Sequence, residues 1–186
     1  MLIVMPGNED RKGKVRMLIY LDTNIVQYCA DEYDFVFGNT EKARTNDLWL
    51  RKELTAIRRL VDLEQLGNWD FAAPLHLLAE LRAGKPTVTQ RETYRMLEDA
   101  WDERRWTGDE SPTPEVISQI EKALMPLKLK HVPDHRHLAE ALALGASWFL
   151  TNDREVIRKT RGKVRGLRVC RPAESLEEMS IGLFLR

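Results

Sequence analysis

Met17-Leu18-Ile19-Tyr20-Leu21 is an unbroken apolar run without polar alternation. That pattern suits a strand covered on both faces, as in a parallel sheet. Asp22-Thr23-Asn24 follows, residue types that cap helices, and Ile25 to Ala30 reads as a short helix. Residues 31–45 are polar and irregular, with Phe35 and Phe37 as the expected anchors. Leu50, Leu54, Ile57 and Val61 then form one apolar stripe at spacings of four, three and four. This predicts a long helix from Asn46 or Asp47 to a stop at Gly67-Asn68. Trp69 to Ala73 suits a second strand, and Pro74 opens a helix over Leu75 to Ala83 that ends at Gly84-Lys85-Pro86. Thr87 or Thr89 caps another helix running to about Trp106, and Pro114 to Leu127 predicts one more, interrupted at Pro126.

The last third is the most informative. Asp134 starts a helix over His135 to Leu144, Gly145 ends it, and Ser147 to Thr151 is a buried strand. Asn152-Asp153 caps a short helix toward Lys159, and Gly166 to Cys170 is a final strand that Pro172 stops. Strands alternating with helices predict an α/β fold, a parallel sheet with helices on both faces.

Composition narrows the classes. The chain has 186 residues, 29 basic and 29 acidic side chains, and therefore no net charge. That length predicts one domain. Neutrality excludes whole-surface attraction to nucleic acid or anionic membrane, so any such binding needs a local patch. No apolar run approaches the ~20 residues of a membrane helix. Residues 1–16 read as a leader of uncertain order, and Met17 is a second candidate start. Cys29 and Cys170 lie in no paired Cys-x-x-Cys spacing and read as two buried thiols of a cytoplasmic protein.

In an open parallel sheet, ligands gather at the carboxyl ends of the strands. Asp22 ends the first strand and Asp153 follows the strand at 147–151. Asp134 begins the helix that feeds that strand, so helix and returning strand bring both aspartates to one edge. Glu80 lies about two turns into the helix leaving the second strand at that edge. Four carboxylates without partners would repel one another. A hard cation, Mg²⁺ or Mn²⁺, relieves this and can activate a water and orient a phosphodiester. Each residue also has a plainer reading: Asp22, Asp134 and Asp153 suit helix caps, and Glu80 suits a solvated helix face.

These residues resemble the PIN-domain ribonucleases. Leu21-Asp22-Thr23-Asn24 is similar to their opening motif and Ala79-Glu80-Leu81 to their second acidic motif. Asp134 with Leu138-Ala139-Glu140-Ala141, Gly145-Ala146 and Leu150-Thr151-Asn152-Asp153-Arg154 resembles the third and fourth. The resemblance covers roughly residues 17–172. It implies a three-layer α/β/α sandwich around a parallel sheet of about five strands. It also implies a Mg²⁺ or Mn²⁺ site at Asp22, Glu80, Asp134 and Asp153 that hydrolyses RNA phosphodiesters. On this reading 17–186 is a single PIN-like nuclease domain with a helical insertion around 31–66, longer than compact VapC-like toxins carry. Many members are toxins neutralised by an antitoxin protein, so RNA, an antitoxin or a second copy in a homodimer are the partners considered. No membrane partner is expected. Thr23, Asn24, Thr151 and Asn152 are the expected supports around the carboxylates. Two alternatives stay open: a non-catalytic PIN-like module that holds RNA or protein, and an aspartate-nucleophile phosphatase, against which Asn24 stands where Asp-x-Asp is wanted.

From Arg154 to Arg171 there are eight basic residues and one acid, Glu155. Arg154, Arg158 and Lys159 are the expected phosphate contacts, with a solvated loop and helix face as the alternative. Glu92 to Glu110 holds seven acids against three basic residues, and Trp101 and Trp106 there mark either a protein interface or self-packing. His131, His135 and His137 lack the further ligands of a zinc site and read as polar residues at a helix start, where His135 or His137 could meet substrate phosphate.

Overall fold

The computed structural model describes residues 17–64, 69–73, 81, 83–96 and 112–184. Glu80, Trp101, Trp106, the leader 1–16 and the stop at Gly67-Asn68 lie outside the described residues, as does most of the helix expected over 75–83.

The strands are β1 (Met17–Leu21), β2 (Trp69–Ala72), β3 (Trp148–Leu150) and β4 (Arg168–Cys170). They form one parallel sheet in the order β2-β1-β3-β4. The described sheet thus has four strands where about five were expected. The helices are α1 (Thr23–Asp31), α2 (Tyr33–Val36), α3 (Leu48–Glu64), α4 (Pro114–Leu124), α5 (Val132–Ala143), α6 (Arg154–Thr160) and α7 (Pro172–Phe184). Residues 88–96 are helical as well. α3 packs on α7 and on α2, and α4 packs on α5. No described helix is long and apolar enough to cross a membrane.

The sheet is buried because its central strands are apolar throughout. Ile19, Tyr20, Phe149 and Leu150 have almost no exposed surface. Tyr20 and Phe149 are register partners, and their rings stack 5.2 Å apart. In α3, Leu54 and Ile57 are buried and Leu50 and Val61 pack against the core, as the stripe predicts.

Local chemistry sets the ends. Asp47 caps α3 by accepting from the Trp49 amide at 2.8 Å. Thr87 and Gln90 form a reciprocal capping box. α4 gives way to a 3₁₀ turn over Met125–Leu127, where Pro126 breaks the ladder. α5 ends on Gly145 at φ 72°, with Ala146 N–H donating to Ala141 O and Gly145 N–H to Leu142 O. That pair of bonds is a Schellman cap, and its left-handed residue favours glycine.

Two features differ from the sequence reading. Residues 33–36 are helical, with Phe35 buried and Phe37 partly exposed. Buried Glu32 pins the loop behind them by accepting from the Arg44 and Thr45 amides at 2.8 and 2.7 Å. Pro172 does follow the end of β4 as expected, and it also opens α7 as its first residue, a helix the sequence reading does not assign. Glu53 of α3, 2% exposed, accepts from the Ala173 amide at 2.9 Å and so satisfies the start of α7 from across the fold. Burial pushes its carboxyl upward, against that hydrogen bond and the nearby Arg171 charge.

Candidate metal centre

The site forms where strand order reverses. From β1 the chain passes to β2 on one side, whereas β3 lies on the other. Ligand crevices open at the carboxyl ends of such strand pairs. Asp22 follows β1, and its backbone N–H donates to Leu150 O, the last residue of β3, at 3.0 Å. Thr151 to Asp153 leave β3 at the same edge. The parallel return of β3 brings the start of α5, and Asp134 in its first turn, to that edge too.

Asp22 is 7% exposed and caps α1. Its Oδ1 accepts from the Thr23 amide at 2.8 Å. Its Oδ2 accepts from Asn24 Nδ2 and from the Thr151 hydroxyl, both at 2.6 Å. Asn24 continues the network, donating to Thr151 Oγ1 at 3.1 Å and accepting the Asn152 amide at 3.1 Å. Thr151 Oγ1 also accepts the Asp153 amide at 3.0 Å, so one hydroxyl fixes the relation between two carboxyl-bearing turns. Asp153 caps α6, its Oδ1 accepting from the Glu155 and Val156 amides at 2.6 and 3.1 Å.

Asp134 differs from both. α5 begins three residues earlier than the sequence suggests, with His131 at the cap position and no side-chain cap. Pro133 in the first turn needs no amide partner, which permits the earlier start. Asp134 is therefore not a cap, and its carboxylate has no hydrogen-bond partner among the described residues. Burial raises its proton affinity, and the charges of Asp22 and Asp153 raise it further, against His131 and His137. Burial likewise raises Asp22, opposed by the Thr151 hydrogen bond and the nearby His137, with Asp153 adding to the rise. Among the described residues, none of these three aspartates forms an ion pair with lysine or arginine.

Two histidines are core residues, not the polar helix-start residues expected. His137 is 3% exposed, with Nε2 3.3 Å from Thr23 Oγ1 and Nδ1 3.3 Å from the Tyr20 hydroxyl. Tyr20 also donates to Glu140 Oε2 at 3.3 Å, and Arg136 donates to Glu140 Oε1 at 3.2 Å. This buried chain fastens α5 to the β1 end, a link no spacing in the sequence signalled. His135 is equally buried, and both its ring nitrogens lack a partner.

Hard oxygen donors, mutual repulsion and the lack of a lysine or arginine counter-charge among the described residues fit a divalent cation such as Mg²⁺ or Mn²⁺. Among the described residues, however, no three His, Cys, Asp or Glu side chains gather closely enough to hold one. The reason is visible in the hydrogen bonds: Asp22 is held by protein donors and Asp153 Oδ1 by the helix it caps. The free oxygens are those of Asp134 and Asp153 Oδ2.

The expected phosphate contacts divide. Arg154 and Arg158 are exposed and form no salt bridge, whereas Lys159 Nζ lies 2.7 Å from Glu155 and also donates to Lys128 O. Cys29 and Cys170 are buried free thiols, both pushed up to about 12 by burial. Comparison with protein-family models, with curated proteins and with solved structures finds no match for this chain.

Proposed function

We propose that this chain is a Mg²⁺- or Mn²⁺-dependent endoribonuclease of PIN-like, three-layer architecture. The observation that supports it most is the placement of Asp22, Asp134 and Asp153 at one sheet edge, in one another's field and without a lysine or arginine partner. Those three would hold the cation, with Glu80 as the fourth carboxylate. A bound divalent cation supplies Lewis-acid activation of water and neutralises charge on the phosphodiester. The chain's own residues do the rest. Asn24 and Thr151 orient Asp22 Oδ2, and the Thr151 hydroxyl ties that carboxylate to the turn carrying Asp153. Asp134, with no hydrogen bond to break, can turn toward the ion at little cost. Arg154, next to Asp153, can meet a substrate phosphate.

The phosphatase alternative fares worse. A nucleophilic aspartate must reach its phosphorus, but Asp22 is buried and accepts three hydrogen bonds. Such phosphatases also use a lysine further along the chain, and Lys159 is engaged by Glu155 and Lys128 O. The narrower proposal, a toxin with an antitoxin partner, would be supported by growth arrest on expression that Asp22→Asn relieves.

Incubation of purified protein with single-stranded RNA and Mn²⁺ tests the reading. The parent should cut internally, EDTA should stop it, and Asp22→Asn and Asp153→Asn should each cut at least ~100-fold more slowly. Equal cutting by parent and variants would refute the assigned ligands. No cleavage with either ion would favour the non-catalytic binding module.

A further inference from the structure

We propose that the outer stripe of α6 and the turn after it form a docking path for a single-stranded polynucleotide, leading away from the carboxylate edge. The proposal rests on the nuclease reading for its polymer class and shares Arg154 with that site, but it extends away from the carboxylates and concerns binding alone.

The cations between Arg154 and Arg171 fall into two sets. Lys159 pairs with Glu155, Arg168 pairs with Glu178, and Arg171 lies over the Trp49 ring. These three serve the fold. Arg154, Arg158, Arg161, Lys163 and Arg165 are all exposed and, among the described residues, form no salt bridge or hydrogen bond through their side chains. Five neighbouring cations without an acidic partner among the described residues form a local positive surface on a chain whose net charge is zero.

Helical geometry turns the first three into a line. Positions 154, 158 and 161 lie within about 60° of one another around the axis, at 100° per residue. Burial agrees, since Val156, Ile157 and Thr160 face inward. β3 and β4 are parallel, so α6 must carry the chain back from the carboxyl edge to the opposite edge. The line therefore starts beside Asp153 and runs down the side of the molecule. The turn at 161–167 continues it with Lys163 and Arg165 between Gly162 and Gly166. Both glycines have positive φ, 71° and 80°, and open space around them, so the turn presents its side chains without crowding. Lys128 and Lys130, both exposed, border the same helix, because Lys159 donates to Lys128 O and the Lys130 amide lies near enough to Glu155 to lower its proton affinity.

Length and chemistry select the ligand. The seven residues of α6 span about 10 Å, or about three phosphates at ~3.4 Å per stacked nucleotide. Arginine forks suit phosphate oxygens. The described part of the stripe has no apolar residue for insertion into a lipid layer, Val164 being half-buried at its end.

The test reads binding in EDTA, where cation-dependent cleavage is absent, by fluorescence anisotropy of a fluorescein-labelled single-stranded RNA. The parent should bind with a salt-dependent affinity. Combined Arg154→Gln, Arg158→Gln and Arg161→Gln should weaken binding about tenfold or more at low salt and lower the log–log salt slope by about 2. A charge-matched control, Lys42→Gln, Lys52→Gln and Arg59→Gln, should leave both near the parent. Circular dichroism confirms that both variants fold. Unchanged affinity in the stripe variant, an equal loss in the control, or no RNA binding by a parent that binds phosphatidylserine vesicles would each overturn the proposal. Cleavage is not read here, so failure of the nuclease reading leaves this result interpretable, and the reverse also holds.

Discussion

Asp134→Asn should stabilise the metal-free protein while disabling it. The Asp134 carboxylate accepts no hydrogen bond, is half-buried, and faces the charges of Asp22 and Asp153. Asparagine keeps the shape and removes the charge, so the fold loses no contact and sheds repulsion. The group is partly open to solvent, which screens it, so the gain is that of a screened charge pair, about 0.5–1 kcal/mol. For a chain of this length that is about 1–4 °C in Tm. The pH dependence has a definite sign. Burial and like charge raise the folded pKa of Asp134 above its unfolded value, so the folded state holds the proton more tightly. The penalty is absent below the unfolded value, near 3.8, and grows as pH rises through the window up to the folded value. The variant's advantage should therefore be present at neutral pH and vanish at acid pH. Saturating Mn²⁺ should reverse the order, because a ligand at ~100 times its Kd adds about 2.7 kcal/mol to the parent alone. Differential scanning fluorimetry in EDTA and in MnCl₂, at neutral and acid pH, reads all four conditions. A variant less stable than the parent in EDTA at neutral pH would refute the reasoning.

Asp22→Asn should behave oppositely in stability, because its new amide would face the Asn24 donor and lose the charged acceptor that Thr151 and Asn24 use. A loss of about 1.5–3 kcal/mol in urea unfolding is expected, and no loss would mean the network is not formed. His135→Leu should be neutral or stabilising by about 1 kcal/mol, since it removes two unpartnered buried nitrogens, and a loss above ~2 kcal/mol would show that they are satisfied. Glu53→Ala should cost about 1–3 kcal/mol by orphaning the Ala173 amide, with Glu53→Gln retaining most of the stability. Both thiols should resist a disulfide reagent in the native protein and react on unfolding, as expected of buried groups raised to about 12.

Much of the frame was legible because it rests on local signals. The run at 17–21, the stripe of Leu54 and Ile57, the Gly145 stop and the Asp153 cap depend on patterns within a few residues. The shared edge of Asp22, Asp134 and Asp153 followed from strand and helix lengths. What stayed hidden is held by distant partners. α7 is unassigned in the sequence reading, and the Ala173 amide at its start is satisfied by Glu53, 120 residues earlier. Glu32 pins a loop that looks irregular alone. His135 and His137 resemble solvated polar residues because their burial is set by tertiary packing and by Tyr20 and Thr23. The basic run reads as one patch, yet Glu155 and Glu178 withdraw Lys159 and Arg168 from it.

The central claim is that Asp22, Asp134 and Asp153 jointly hold a divalent cation. Electron paramagnetic resonance of Mn²⁺ tests it without any substrate, because the six-line signal of the free ion fades when the ion is bound. The parent should quench that signal saturably, and Asp22→Asn, Asp134→Asn and Asp153→Asn should each leave most of it in place. An undiminished signal with folded parent, or equal quenching by all three variants, would contradict the account.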